Sequence, residues 1–166
     1  MSGPGDEVAY RIRLYRPQDL PRLKEITTQT FGPVSIDGNM EQTFGPFGEA
    51  GWAGRKAVAI EDDCRLQPDG VFVAEEPGGG RIAGYVTTRV NARTKLGWIP
   101  NLAVDPAAQG RGLGRQLLEH ALDFFRDRGM EVAKIETLEQ NPIGRKLYPS
   151  LGFREVARQI HYAMRL

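Results

Sequence analysis

The residues with the clearest chemical meaning are Gln109-Gly110-Arg111-Gly112-Leu113-Gly114, near the middle of the chain. Glycines there let a turn aim several main-chain N–H groups at one oxyanion, and a helix starting at the turn adds the positive end of its dipole. The chemistry implied is phosphate binding. The spacing is G-x-G-x-G, which misses the G-x-G-x-x-G of dinucleotide sites, and no Gly-Lys-Ser/Thr follows to form a nucleotide P-loop. NAD and ATP are therefore disfavoured. Arg111 and Arg115 stand close enough in sequence to reach phosphate oxygens, the alternative being solvent. No Cys and His have metal-ligand spacing, so no metal is expected, and Cys64 alone forms no internal disulfide.

Such a loop needs a strand before it and a helix after it. Ile99-Pro100-Asn101-Leu102-Ala103-Val104 reads as the strand, stopped by Asp105-Pro106, and Leu113, Leu117, Leu118, Ala121, Leu122 and Phe125 recur at helical spacing up to Arg128. Pro100 donates nothing to a ladder, so pairing must lapse there, at an edge or a bulge. Upstream, alternation over Val8–Tyr15 predicts a strand, and Leu20, Leu23, Ile26, Thr27 and Thr30 predict a helix. Residues 31–54 lose period and collect Gly, Pro, Phe and Trp. They read as a surface loop, with a substrate-facing wall as the other reading. A helix returns over Ala53–Leu66, and strands at 71–75 and 81–90 flank the hairpin Glu76-Pro77-Gly78-Gly79-Gly80. Downstream come a strand over Val132–Leu138, a helix opened by Asn141-Pro142, and a closing strand from the alternation of Ile160, Tyr162, Met164 and Leu166.

Two of these segments carry a resemblance. Gln109, Gly112 and Gly114 match Q/R-x-x-G-x-G/A, motif A of the GCN5-related N-acetyltransferase (GNAT) superfamily. Asn141 to Phe153 is similar to that superfamily's N-x-x-A-x-x-L-Y-x-x-x-G-F, with Gly144 where Ala is usual. The two motifs stand in the right order, and the pattern is nearest to members resembling ribosomal-protein alanine N-acetyltransferases. The resemblance implies an α/β (α+β) fold: a mixed, mostly antiparallel sheet with helices on both faces and splayed fourth and fifth strands.

It also implies a cosubstrate, acetyl-CoA. Its pyrophosphate would lie on Gln109, Gly110, Arg111, Gly112, Leu113, Gly114 and Arg115, and its pantetheine arm on Leu102, Ala103, Val104 and Asn141. Tyr148 would protonate the departing sulfur. Glu136 would take the proton of the attacking amine, with Glu75, Glu76, Glu139 or a water chain as rivals, and with a solvent-facing Glu136 beside Lys134 as the bland alternative. Transfer would proceed by direct attack of a primary amine. The long Phe/Gly-rich segment and His161-Tyr162, in place of a Tyr-Tyr pair, depart from the ribosomal-protein enzymes. The acceptor is thus a small amine, an amino acid or an aminoglycoside-like molecule as readily as a peptide amine. A non-catalytic acyl-CoA binding or sensing module is the rival.

Composition limits the remaining classes. A length of 166 residues suits one domain, read as residues 8–166 after a disordered leader at 1–7. With 40% hydrophobic and 26% charged residues and a net charge of +1, nothing favours nucleic acid or an acidic membrane as a partner. No run is long and apolar enough for a membrane span, and the first residues lack the core of a signal peptide. The expectation is a cytoplasmic protein, with a homodimer possible.

Overall fold

A computed structural model describes residues 9–166. The leader at 1–7, and Val8 at the start of the first expected strand, lie outside the described residues. The elements follow in the order β1 (Arg11–Leu14), α1 (Leu20–Thr30), α2 (Ile36–Phe44), α3 (Gly51–Leu66), β2 (Val71–Glu75), β3 (Ile82–Asn91), β4 (Leu96–Val104), α4 (Leu113–Asp127), β5 (Val132–Ile135) and α5 (Pro142–Ser150). One sheet runs β1-β2-β3-β4-β5. Neighbours from β1 to β4 pair antiparallel and β4 pairs β5 parallel, because α4 carries the chain back between them. This is the mixed, mostly antiparallel sheet expected.

Two apolar clusters cover the two faces. Leu113, Leu117, Leu118, Ala121 and Phe125 of α4 pack on Phe72, Ala74, Val86 and Ile99. Leu23 and Ile26 of α1 and Ile60 and Cys64 of α3 pack on Val71, Val73, Tyr85 and Ala103. Ile99 and Ala103 belong to one strand and are four positions apart, so regular alternation would put them on the same face. A bulge explains the exchange: register slips between Thr87 and Arg89 of β3, opposite Ile99 and Pro100.

Three expectations are corrected. Residues 31–54 are not a surface loop: α2 lies inside that stretch and α3 begins at Gly51. Its glycines mislead, since Gly38 sits within α2, buried against the Gly32 carbonyl, while Ser35 caps the helix by accepting from the Gly38 amide at 3.0 Å. The strand expected to run to Leu138 ends at Ile135, because β4 leaves β5 above Ile99 and removes its partner. The closing strand does not form either. Residues 154–166 are exposed and join no strand among the described residues. Among the described residues, no helix is long and apolar enough to cross a membrane.

Candidate functional site

β4 makes the site because its two edges end differently. Toward β3 it pairs up to Val104, opposite Gly84, whereas toward β5 the ladder stops at Ile99 opposite Ile135. Pro100 comes next and has no N–H to continue it. Along the strand the amides alternate in direction. Asp105 N–H donates to the Ala83 carbonyl and Asn101 N–H to Thr87 Oγ1, so the odd-numbered amides face β3. Leu102 and Val104 consequently turn theirs into the slot between the parted strands. Ala103 turns its amide to β3 and buries its side chain under α1 and α3. The Val104 carbonyl accepts from Gln109 Nε2 at 3.1 Å.

The glycine loop follows at the end of this strand. Asp105 anchors the turn by accepting from Ala107 N–H at 2.9 Å and by pairing with Arg22 and Arg81. Burial raises its carboxyl, yet the Ala107 amide and the two guanidiniums hold it below the ordinary value. Gly110 and Gly112 take φ of 77° and 76°, a region that side chains disfavour, and a Cβ on either would meet nothing within 4 Å. The outer face of the loop is therefore open. Gly112 is the N-cap of α4 and brings no side-chain acceptor, so no cap holds the amides of the first turn, including Leu113 and Gly114. The Leu113 side chain, 1% exposed, fixes the helix start in the core. Arg111 is exposed and in no ion pair among the described residues, whereas Arg115 donates to Ser150 Oγ at 2.7 Å.

α5 closes on this corner. Asn141 caps it, its Oδ1 accepting from Gly144 N–H at 3.3 Å. A Cβ on Gly114 would lie 3.5 Å from Leu147 and 3.9 Å from Val104, so α4, α5 and the slot meet there. Tyr148, next to Leu147, packs edge-on to Phe153 with ring centroids 6.1 Å apart, and burial pushes its phenol up to about 12. Glu136 sits one residue past β5 with its side chain 53% exposed. It accepts from Trp98 Nε1 at 2.7 Å and Lys134 Nζ at 2.9 Å. The rival Glu75 is held by Arg13, on a strand separated from β4 by β3. Another, Glu139, faces Arg158.

The sequence reading passed over a buried polar network beneath the bulge. Asp63 of α3 accepts from Thr87 Oγ1 at 2.9 Å, from Asn101 Nδ2 at 2.7 Å and from Arg89. Thr87 Oγ1 in turn accepts from the Asn101 amide at 3.1 Å, beside the bulge. Lys56 Nζ donates to Asn101 Oδ1 at 2.8 Å, and its pKa is lowered by burial. The available signal was an acidic residue between Ile60 and Cys64, on the buried face of a helix. Beside the slot, Gln140 ties the β5–α5 loop to the Pro33 carbonyl at 2.9 Å and to Asn39. There Gly32, Pro33, Gly38, Glu41, Gln42 and Trp52 line a cavity of about 380 Å³.

Open amides at a helix start, continuing into a half-open strand edge, fit a ligand with a diphosphate at one end and an amide-bearing arm, as coenzyme A has. Comparison with known proteins agrees. Residues 38–153 match the acetyltransferase (GNAT) family. The mycothiol acetyltransferase of Thermomonospora curvata is 32% identical over 166 aligned residues, covering 91% of this chain and 54% of that protein. That of Stackebrandtia nassauensis is 28% identical, covering 99% and 51%. This chain spans about half the length of these curated relatives. Among solved structures, the ribosomal-protein-S18-alanine N-acetyltransferase of Escherichia coli superposes with a TM-score of 0.64 at 25% identity, over 90% of this chain and 80% of that one. The yncA protein of Salmonella typhimurium, solved with its cofactor acetyl-CoA, gives 0.63 at 25% identity, over 87% and 79%. The chain belongs to the acetyltransferase (GNAT) family.

Proposed function

We propose that this domain transfers acetyl from acetyl-CoA to the primary amine of a small acceptor by direct attack. One observation supports this above the others: the uncapped start of α4 opens at the end of β4 where Leu102 and Val104 turn amides into the slot. The partners for a diphosphate and for the arm behind it thus occur in the right order. Acetyl-CoA supplies the activated acyl group. The amides at Leu113 and Gly114, with Arg111, hold phosphate oxygens, while Leu102, Val104 and Asn141 orient the arm. The Val104 N–H is the main-chain donor for the developing oxyanion. Glu136 takes the amine proton after leaving Lys134. Tyr148 keeps its phenolic proton at neutral pH and presents it to the departing sulfur.

The acceptor fits the cavity lined by Glu41, Gln42 and Trp52, beside the loop that carries Glu136. The curated relatives are named for mycothiol, which makes small molecules of that kind the first acceptors to test. One observation favours a second reading, a non-catalytic acyl-CoA binding module: Glu136 is half-exposed and bound to Trp98 and Lys134. Thiol release from acetyl-CoA, with a panel of small amines, amino sugars, amino acids and peptide N-termini, separates the two. Catalysis predicts release with at least one amine, reduced in Tyr148→Phe and in Glu136→Gln. Tight coenzyme A binding with no release from any amine would leave the binding module.

A further inference from the structure

The segment after α5 has the sequence of a strand and the surroundings of none. Val156, Ile160, Tyr162, Met164 and Leu166, interrupted by Arg158, alternate with Glu155, Ala157, Gln159, His161, Ala163 and Arg165, the pattern of a strand with one mostly apolar face. Yet Ile160 is 79% and Tyr162 90% exposed, and residues 154–166 make no main-chain hydrogen bond among the described residues. Two side-chain contacts set the course of the segment. Arg158 bonds Glu139 in the β5–α5 loop and Arg165 bonds the Phe44 carbonyl at the end of α2. Meanwhile β5 ends the sheet, paired only to β4 among the described residues, so the main-chain groups of its outer edge are open. Beside that edge Val132 of β5 and Ile143 of α5 are 60% and 65% exposed. One chain thus holds an unpaired strand and an unpaired edge, and no main-chain hydrogen bond joins the two within one copy.

We infer that two copies of this chain exchange these segments, each laying residues 155–164 along the β5 edge of the other about a two-fold axis. A second copy is the fitting occupant because a single symmetric operation supplies both edges with strands and covers both sets of apolar side chains. The edge and the tail alone make the dimer, which does not depend on the catalytic reading.

Sedimentation and main-chain hydrogen exchange on the full chain test it together. The expected result is a dimer in which dilution lowers the protection of Val132–Ile135 and of the tail in step with the dimer fraction. Ile160→Asp combined with Tyr162→Asp, at side chains exposed in a single copy, should weaken dimerisation at least about 100-fold, leaving the helical circular dichroism signal unchanged. A monomeric wild type overturns the inference, and so does a monomer with β5 protected at every dilution, which means closure onto its own edge. A dimer whose β5 protection ignores dilution, or one that survives the paired aspartates, places the interface elsewhere and also overturns it. The dilution series uses no variant, so misfolding of the double substitution leaves the test intact.

Discussion

Tyr148 and Asp63 show how setting decides what a side chain can do. A phenol in water ionises near 10, and burial raises Tyr148 to about 12, so it remains a donor through the mildly alkaline range in which an amine acceptor loses its proton. A free thiol ionises at about 8.5. Complete proton transfer to the thiolate is therefore uphill even after the sulfur has left, and the contribution of Tyr148 to the barrier is a hydrogen bond to the charge developing on sulfur. If this is right, Tyr148→Phe lowers kcat by about 10²- to 10⁴-fold and moves the KM for acetyl-CoA little, and the wild-type rate shows no loss from phenol ionisation below about pH 11. Rate against pH for both forms decides it, an alkaline fall near pH 9 that is absent from the variant being the contrary result. Asp63 acts at a distance from any reactant. Its carboxylate gathers Thr87, Asn101 and Arg89 at the bulge, so Asp63→Ala leaves buried donors without an acceptor and should cost at least about 2 kcal/mol in a urea titration. Asp63→Asn keeps an acceptor oxygen but faces the Asn101 amide with a second amide group, and should fall between the two.

At the scale of elements, α5 repeats the same argument with packing in place of charge. By helix propensity alone, Gly144→Ala should stabilise α5 by about 1 kcal/mol. A Cβ there would lie 2.6 Å from Thr137 Oγ1 and 3.1 Å from Asn141 Nδ2, so overpacking wins and the substitution should instead destabilise by about 1–3 kcal/mol. Thr137 Oγ1 is itself buried without a partner, and adding Thr137→Ala to Gly144→Ala should recover most of the loss in thermal unfolding. This contact also marks what sequence can tell. The loop from Gln109 to Gly114, the apolar stripe of α4 and the lapse after Pro100 were legible because each depends on residues within one or two turns of one another. α2 was not, since Gly38 reads locally as a breaker, and the close approach of the Gly32 carbonyl that requires a glycine there follows from a turn of the folded chain that no periodicity announces. The clamp of Asp63 on Asn101 joins residues far apart in the chain, and nothing in either neighbourhood announces the other. The direction of Glu136, toward Trp98 and Lys134, depends on where β5 loses its partner. For the tail the pattern was legible but its partner was not, because a strand's sequence does not say which edge it joins.

Across the whole molecule, stability should follow pH with opposite signs at the two ends of the scale. Asp19 is buried, which raises its carboxyl, but hydrogen bonds from Arg13 and from the Arg16 amide bring it below the ordinary 3.8, and Asp105 is lowered as well. Folded-state values below the unfolded ones contribute stability that is complete above about pH 4 and is lost as pH falls through the folded values. His120, packed on Phe72 with ring centroids 4.5 Å apart and lowered from 6.5 chiefly by burial, has the same sign: the unfolded chain takes up its proton first, and stability declines as pH drops below 6.5. At the alkaline end burial pushes Cys64 from 9.0 up to about 11 and Tyr148 from 10.0 up to about 12, and raises fully buried Tyr85 as well. These groups stay protonated in the fold while the unfolded chain ionises, so their contribution is complete below about pH 9 and is lost as pH rises through the folded values. Urea midpoints between pH 5 and 11 should give a plateau near neutrality, a shallow fall below about pH 6.5 and a steeper one above about pH 9. Cys64→Ala should delay the onset of the alkaline fall toward pH 10, where only the tyrosines remain to ionise. An unchanged onset in that variant would mean that the thiol is not sequestered between α3 and the sheet.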